Sequence, residues 1–261
     1  MHKDTKIIGI INLNDDSFYR HSRVENAQSF RDRTAAMFED GADIVDIGAC
    51  SSRPGSVYPG EAVEWKRLKP ALDEIASGFT GRLFSVDTFS SEIVRRTYDR
   101  IGPFIVNDIT AGQADSNMLA TVAKLGLPYI AMHSRGNSRT MDSLCDYDDV
   151  VSDVKDYFRE FGRRAEEAGV TDWILDPGFG FAKTAGQNLE MLARLHEFMD
   201  LCRPVLVGIS RKRMVWEPLG LTPEACLDAT LVLQGQAALQ GAAYLRVHDV
   251  DACRNYLRTI L

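Results

Sequence analysis

The feature that most restricts this chain is a pattern that repeats eight times: a short, nearly uninterrupted apolar run, then a longer stretch with apolar residues three or four apart. The runs are Ile7 to Ile11, Ile44 to Ile47, Leu83 to Val86, Phe104 to Val106, Tyr129 to Met132, Trp173 to Leu175, Val205 to Ile209 and Tyr244 to Val247. A run that is apolar on both faces reads as a parallel strand covered on both sides. The intervening stretches have helical spacing, as in Ala27, Phe30, Thr34, Met37 and Phe38, or Val150, Val154, Phe158, Phe161 and Ala165. Gly41, Gly78, Gly102, Gly126, Gly169 and Gly241 fall where helices must give way to strands. Thr222-Pro223-Glu224 reads as the cap, first-turn proline and first-turn acid of a late helix.

Eight such units, with strand ends recurring about every 34 residues and no linker or low-complexity break, predict a closed (β/α)8 barrel of the α/β class. The expectation is one domain over residues 1–261, a length that a single barrel accommodates. A dinucleotide fold would carry G-x-G-x-x-G after the first run, which here reads Gly9-Ile-Ile-Asn-Leu-Asn, and there is no P-loop. The net charge of -7 argues against nucleic acid or an anionic membrane as the main partner, so an anionic ligand must find local positive charge. No apolar stretch approaches the roughly 20 residues that span a bilayer, and the start, Met1-His2-Lys3-Asp4, has no signal-peptide core; a cytoplasmic location is expected. Cys50, Cys145, Cys202, Cys226 and Cys253 are widely spaced without C-x-x-C and are expected to be reduced. The histidines show no metal-binding spacing, so transition-metal ligation is not expected.

Barrels of this kind work at the face where their strands end. The residues there are Asn12; Ser51-Ser52-Arg53; Asp87; Asn107-Asp108; His133; Asp176; Ser210-Arg211-Lys212; and Arg246 with His248. A phosphate site is frequently built after strands seven and eight. Lys212, Arg246 and His248, with Arg53 and Asn12, therefore read as a cradle for a phosphate or pyrophosphate, which would recruit an oxygen-liganded Mg2+ with Asn12 or loop acids as partners. Arg246 lies in the apolar frame Tyr244-Leu-Arg-Val-His, where an unpaired charge is costly. Asp87, Asn107 and Asp176 lie in similar frames and need partners; a guanidine-like N–H edge would satisfy a carboxylate, and pairing with Lys212 or Arg246 is the structural alternative. The turn Asp176-Pro-Gly-Phe-Gly-Phe181-Ala-Lys183 offers Phe181 to a flat ring and Lys183 to an anion.

The strings Asn12-Leu-Asn-Asp-Asp16-Ser-Phe18, Ser51-Ser52-Arg53-Pro54-Gly55, Ser85-Val-Asp87-Thr, Asn107-Asp-Ile, Asp176-Pro-Gly-Phe-Gly-Phe181, Gly208-Ile-Ser210-Arg-Lys212 and Arg246-Val-His248-Asp resemble the dihydropteroate synthase family, in that family's order and over nearly the whole chain. The resemblance implies a folate-pathway transferase that joins 4-aminobenzoate to 6-hydroxymethyl-7,8-dihydropterin pyrophosphate, a reaction at which sulfonamides compete. It implies that Asp87, Asn107, Asp176 and Lys212 hold the pterin, with Asp176 on the 2-amino and N3–H edge. Asn12, Ser52, Arg53, Arg246 and His248 would hold pyrophosphate, with Asn12 on its Mg2+. Phe18, Ser52, Arg53, Pro54, Phe181, Ser210 and Lys212 would surround the aminobenzoate. Asp87, Lys212, Arg246 and His248 are the expected catalytic residues, acting after pyrophosphate loss, and a homodimer is expected. The chain departs from the usual pattern at Asn14-Asp15, at Arg20-His21, where an acid and a glycine are usual, and at Ala49-Cys50. Alternative readings are a non-catalytic pterin-binding paralogue, the pterin barrel of a methyltetrahydrofolate:corrinoid methyltransferase, and a Schiff-base aldolase on Lys183 or Lys212.

Overall fold

In the structure, a computed structural model, residues 5–13, 27–51 and 55–261 are described. Eight parallel strands follow one another around a nearly closed barrel: β1 (Lys6–Asn12), β2 (Ile44–Gly48), β3 (Leu83–Asp87), β4 (Ile105–Asp108), β5 (Tyr129–Met132), β6 (Trp173–Asp176), β7 (Leu206–Val207) and β8 (Tyr244–Val247). β1 to β6 pair in sequence order, β7 pairs with β8, and β8 pairs with β1. Outside them pack α1 (Ala27–Glu39), α2 (Glu61–Gly78), α3 (Ser91–Ile101), α4 (Met118–Leu125), α5 (Val150–Ala168), α6 (Ala185–Ala193), the short α7 (Arg213–Trp216), α8 (Leu227–Leu239) and α9 (Val250–Ile260). The predicted faces of α1 and α5 are those that pack: Phe30, Thr34, Met37 and Phe38 are buried, as are Val150, Val154, Phe158, Phe161 and Ala165.

Strand side chains alternate, so apolar runs sort themselves onto two sides of the sheet. Ile7, Ile11, Val45, Ile47, Phe84, Val86, Val106 and Val207 join the continuous shell beneath the helices. Ile8, Ile44, Ile105, Ile130, Ile174 and Leu206, with Tyr244 against them, form a separate cluster that plugs the barrel interior. Two residues further along the same inward rows stand Ile10, Asp46, Asn107, Met132, Asp176, Gly208 and Arg246. The barrel thus changes from an apolar floor to a polar layer within one alternation.

Three expectations need correction. The seventh run yields only two strand residues, and β6 meets this segment through a single bridge, Leu175 to Val205, because Pro204 has no N–H to give the ladder. Thr222-Pro223-Glu224 forms a turn rather than a helix start, with Arg211 capturing the carbonyls of Pro223 and Glu224, and α8 begins at Leu227. Five of the six marked glycines, Gly126 and Gly169 among them, have positive φ after their helices; Gly78 instead remains inside the last turn of α2.

Candidate active site

A cavity of about 440 Å³ opens at the carboxyl ends of the strands, within the size range of small-molecule sites. Asn12, Ser51, Asp87, Lys212, Arg246 and His248 line it. Phe181, Ser210, Met141 and Trp216 also line it.

One wall is organised by a carboxylate that sequence reasoning overlooked. Asp46, on β2, is fully buried and accepts hydrogen bonds from Arg246 Nε (2.8 Å) and Nη2 (2.5 Å), Ser85 Oγ (2.5 Å) and Asn107 Nδ2 (3.3 Å). Inward alternation brings these four residues together from β2, β3, β4 and β8. Arg246 Nη2 also reaches Asp87 Oδ2 at 3.2 Å. Gly48 makes room there, since a Cβ would lie 3.3 Å from that of Asp87. Burial pushes the Asp87 carboxyl up to about 7, with Arg246 opposing and the Asp46 charge adding to the rise. Arg246 is therefore paired to Asp46 and Asp87 rather than to Asp176. The signal that exposed Asp87, an acid in an apolar strand frame, was equally present in Ile44-Val-Asp-Ile-Gly.

The opposite wall is the β6–α6 turn. Asp176 is 8 % exposed and accepts the Gly178 N–H at 2.8 Å. Burial raises its pKa, opposed first by Lys212. Lys212 donates to Phe179 O and stands 4.7 Å from the Phe181 ring centroid; burial lowers its pKa to about 8, with Asp176 opposing. Lys183, expected near an anion, instead turns its ammonium to Gly178 O (3.1 Å), Phe181 O (3.0 Å) and His133 Nδ1 (2.9 Å). An ammonium has three donors, so this geometry commits all of them to the protein.

The remaining cations divide by environment. Arg211 is buried in a two-pronged ion pair with Asp249 (2.8 Å for each bond), whereas Arg213 is exposed beside Glu217. Ser210 Oγ accepts the His248 backbone N–H (3.1 Å) and lies 3.0 Å from His248 Nδ1. Burial, reinforced by Arg246, holds the His248 pKa at about 3, so the imidazole is neutral. Of the adjacent pair that ends β4, Asn107 enters the polar layer, while Asp108 binds Tyr129 Oη and the backbone of the following turn.

Asn12, Asp87, Ser210, Lys212, Arg246, His248 and Phe181 thus border one cavity, and Asn107 and Asp176 lie in the layer under it without lining it. Phe18, Ser52, Arg53 and Pro54, together with Asn14, Asp15, Arg20 and His21, lie outside the described residues. Cys50 lines the cavity; burial pushes its thiol pKa up, away from reactivity. All five cysteines are free.

Fold and site together define a small-molecule enzyme barrel with buried carboxylates and cations at the base of one cavity. Residues 8–248 match the pterin binding enzyme family. The chain is 37% identical to the dihydropteroate synthase of Escherichia coli over 256 residues, 97% of this chain and 90% of that protein. It superposes with a TM-score of 0.93 and 32% identity on the Yersinia pestis dihydropteroate synthase in a sulfonamide drug complex, covering 98% of this chain and 93% of that one. For the Xanthomonas albilineans dihydropteroate synthase with 4-aminobenzoic acid the TM-score is 0.88 at 34% identity, covering 98% and 91%. The chain belongs to the dihydropteroate synthase family and is a transferase of folate synthesis.

Proposed function

We propose that this cavity joins 4-aminobenzoate to 6-hydroxymethyl-7,8-dihydropterin pyrophosphate, with Asp176 binding the 2-amino and N3–H edge of the pterin. The observation that carries this reading is a nearly buried carboxylate holding one backbone hydrogen bond at the base of a cavity lined by Lys212, Arg246 and His248. A charged, paired hydrogen bond from the pterin edge supplies what that carboxylate lacks. Asp87, Asn107 and Lys212 complete the pterin site. Arg246, His248, Asn12, Ser52 and Arg53 bind pyrophosphate, and Phe18, Ser52, Arg53, Pro54, Phe181, Ser210 and Lys212 surround the aminobenzoate.

The C–O bond at the exocyclic methylene breaks first, its electron pair leaving on pyrophosphate. Arg246, fixed by Asp46, and the neutral imidazole of His248 meet the developing oxygen charge. The electron-rich pterin shares the cationic charge, with Asp87 as the nearby carboxylate. The neutral amine then forms the C–N bond and releases a proton. No general base has to activate an aniline nitrogen.

For Mg2+ the donor set is decisive. Among the described residues no three His, Cys, Asp or Glu side chains converge as a metal cage. Mg2+ bound mostly through phosphate oxygens and water needs only one or two protein oxygens, and Asn12 on the cavity wall is suited to supply one. When bound, the ion would neutralise charge on the leaving pyrophosphate.

The continuous shell around the sheet supports reading residues 1–261 as one pterin-binding (β/α)8 domain. Val232 and Leu239, exposed on α8, support a homodimer formed through outer helices. Pyrophosphate release by purified protein with Mg2+ and the dihydropterin pyrophosphate tests the reaction: release coupled to dihydropteroate formation on adding 4-aminobenzoate is expected. Tight pterin binding without turnover would favour the non-catalytic paralogue.

A further inference from the structure

Lys183 is 6 % exposed, borders the cavity and has no part in the reaction as derived. The turn that it serves is unusual in its backbone. Gly178, Gly180 and Ala182 all have positive φ, and a Cβ at Gly178 would fall 1.9 Å from His133 O. Residues 177–183 form no helix or strand, so their polar groups need other partners. Side chains provide them: Lys183 takes Gly178 O and Phe181 O, Lys212 takes Phe179 O, Tyr147 Oη donates to Ala182 O at 2.9 Å, and Asn188 binds Gly180 N–H and Lys183 O. The turn also carries two groups of the proposed substrate site. Its Gly178 N–H orients Asp176, and its Phe181 ring lies under Lys212.

We propose that Lys183 is a positioning residue of the transfer reaction: its ammonium, shared among Gly178 O, Phe181 O and His133 Nδ1, sets the turn that orients Asp176 and Phe181. The proposal rests on the assigned reaction and extends it to a side chain that need not touch substrate. His133 is the linking acceptor. Its backbone N–H donates to Asp176 O at 2.9 Å, so the end of β5 is tied to the end of β6 by main chain and by the Lys183 side chain. Because three acceptors meet three protons, loss of one proton breaks the match and turns a lone pair toward an acceptor.

The charged and titratable groups facing Lys183 are His133 at the end of β5, Arg135 and Cys145 on the β5–α5 loop, Asp176 at the end of β6, and Lys212 after β7. Tyr147 and Tyr157 pack on the other side of His133. Burial lowers the Lys183 pKa to about 7 against the pull of Asp176. The His133 pKa is well below its usual value, by burial and then by Lys183, which leaves its Nδ1 available to accept.

The test compares wild type with Lys183→Met and His133→Leu, each checked for folding by near-UV circular dichroism. In K183M the KM for 4-aminobenzoate and the Kd for the dihydropterin are expected to rise by roughly 10-fold, from loss of charged hydrogen bonds, while kcat changes far less, since Asp87 and Arg246 stay in place. Wild-type KM should rise with pH as Lys183 loses its proton. K183M should lack that rise and keep the separate one due to Lys212. In H133L the ammonium loses an acceptor, so the rise should move to lower pH. This variant carries the test if K183M does not fold. Unchanged KM, Kd and pH profile in folded K183M, even with a lowered thermal midpoint, would reduce Lys183 to packing and overturn the proposal; an unmoved pH rise in folded H133L would do the same. If wild type itself forms no dihydropteroate, the assigned reaction fails on its own, and the pterin Kd and its pH dependence still decide the role of Lys183.

Discussion

On the β2, β3 and β8 side of the cavity a buried carboxylate meets an arginine, a serine and an asparagine; on the β6 and β7 side two lysines meet backbone carbonyls, and Asp176 keeps a single hydrogen bond from its own turn. Both walls bury charge, yet only the first compensates it with opposite charge at contact distance. A buried ion pair that is complete in the free protein resists disruption, because removing one partner strands the other. A carboxylate that lacks a full set of donors is satisfied when a ligand brings them. On the proposed reading, the first wall is the scaffold for the leaving group and the second recognises the substrate.

The largest expected effect comes from breaking the first wall. Arg246→Met strands Asp46, which is fully buried, and should destabilise the fold by about 3–5 kcal/mol, read by urea unfolding, with kcat lowered by roughly 100-fold or more. A stable, active variant would show that Asp46 and Arg246 do not depend on each other. The second wall should respond in binding: Asp176→Asn is expected to weaken dihydropterin affinity by roughly 10–100-fold, measured by calorimetry. Its folding stability should hold, since burial already disfavours the carboxylate charge.

The pH dependence sharpens the same contrast. Lys212, held near 8, is charged below that value, so kcat/KM should fall as pH rises through about 8. Asp176 and Asp87 have raised pKa values, so activity should fall on the acid side at higher pH than for ordinary carboxylates, near 3.9. No limb should come from His248, which stays neutral above about 3. A limb that moved in a His248→Gln variant would refute that assignment. The smallest effect is expected for Ser210→Ala, which removes the orienting hydroxyl of His248. A loss of one hydrogen bond corresponds to roughly a 5-fold fall in kcat, with both pH limbs in place.

Much of this contrast was legible in the sequence. Arg246 could be read as a charge needing a partner from its frame of Tyr244, Leu245 and Val247, and Asp176 from Ile174 and Leu175. The partner of Arg246 was not, because strands β2 and β8 are some 200 residues apart in the chain and only barrel closure brings them together. Alternation could have singled out Asp46, since it stands two residues past Ile44 on the inward row. The role of Lys183 was misread for a different reason. A lysine beside a glycine turn suggests an anion site, and only the left-handed backbone at Gly178, Gly180 and Ala182 reveals carbonyls that need a cation. The capped ends of α4 and α5 were readable from Gly126 and Gly169 alone, because their constraint is local.

The most direct test of the division between the two walls is urea unfolding of wild type, R246M and D176N, each with and without saturating dihydropterin. Ligand that binds only the folded state raises the midpoint in proportion to its affinity. The account predicts a low midpoint for R246M without ligand, and for D176N a wild-type midpoint without ligand that rises far less when ligand is added. A D176N midpoint as low as that of R246M, with the ligand-induced rise intact, would contradict it.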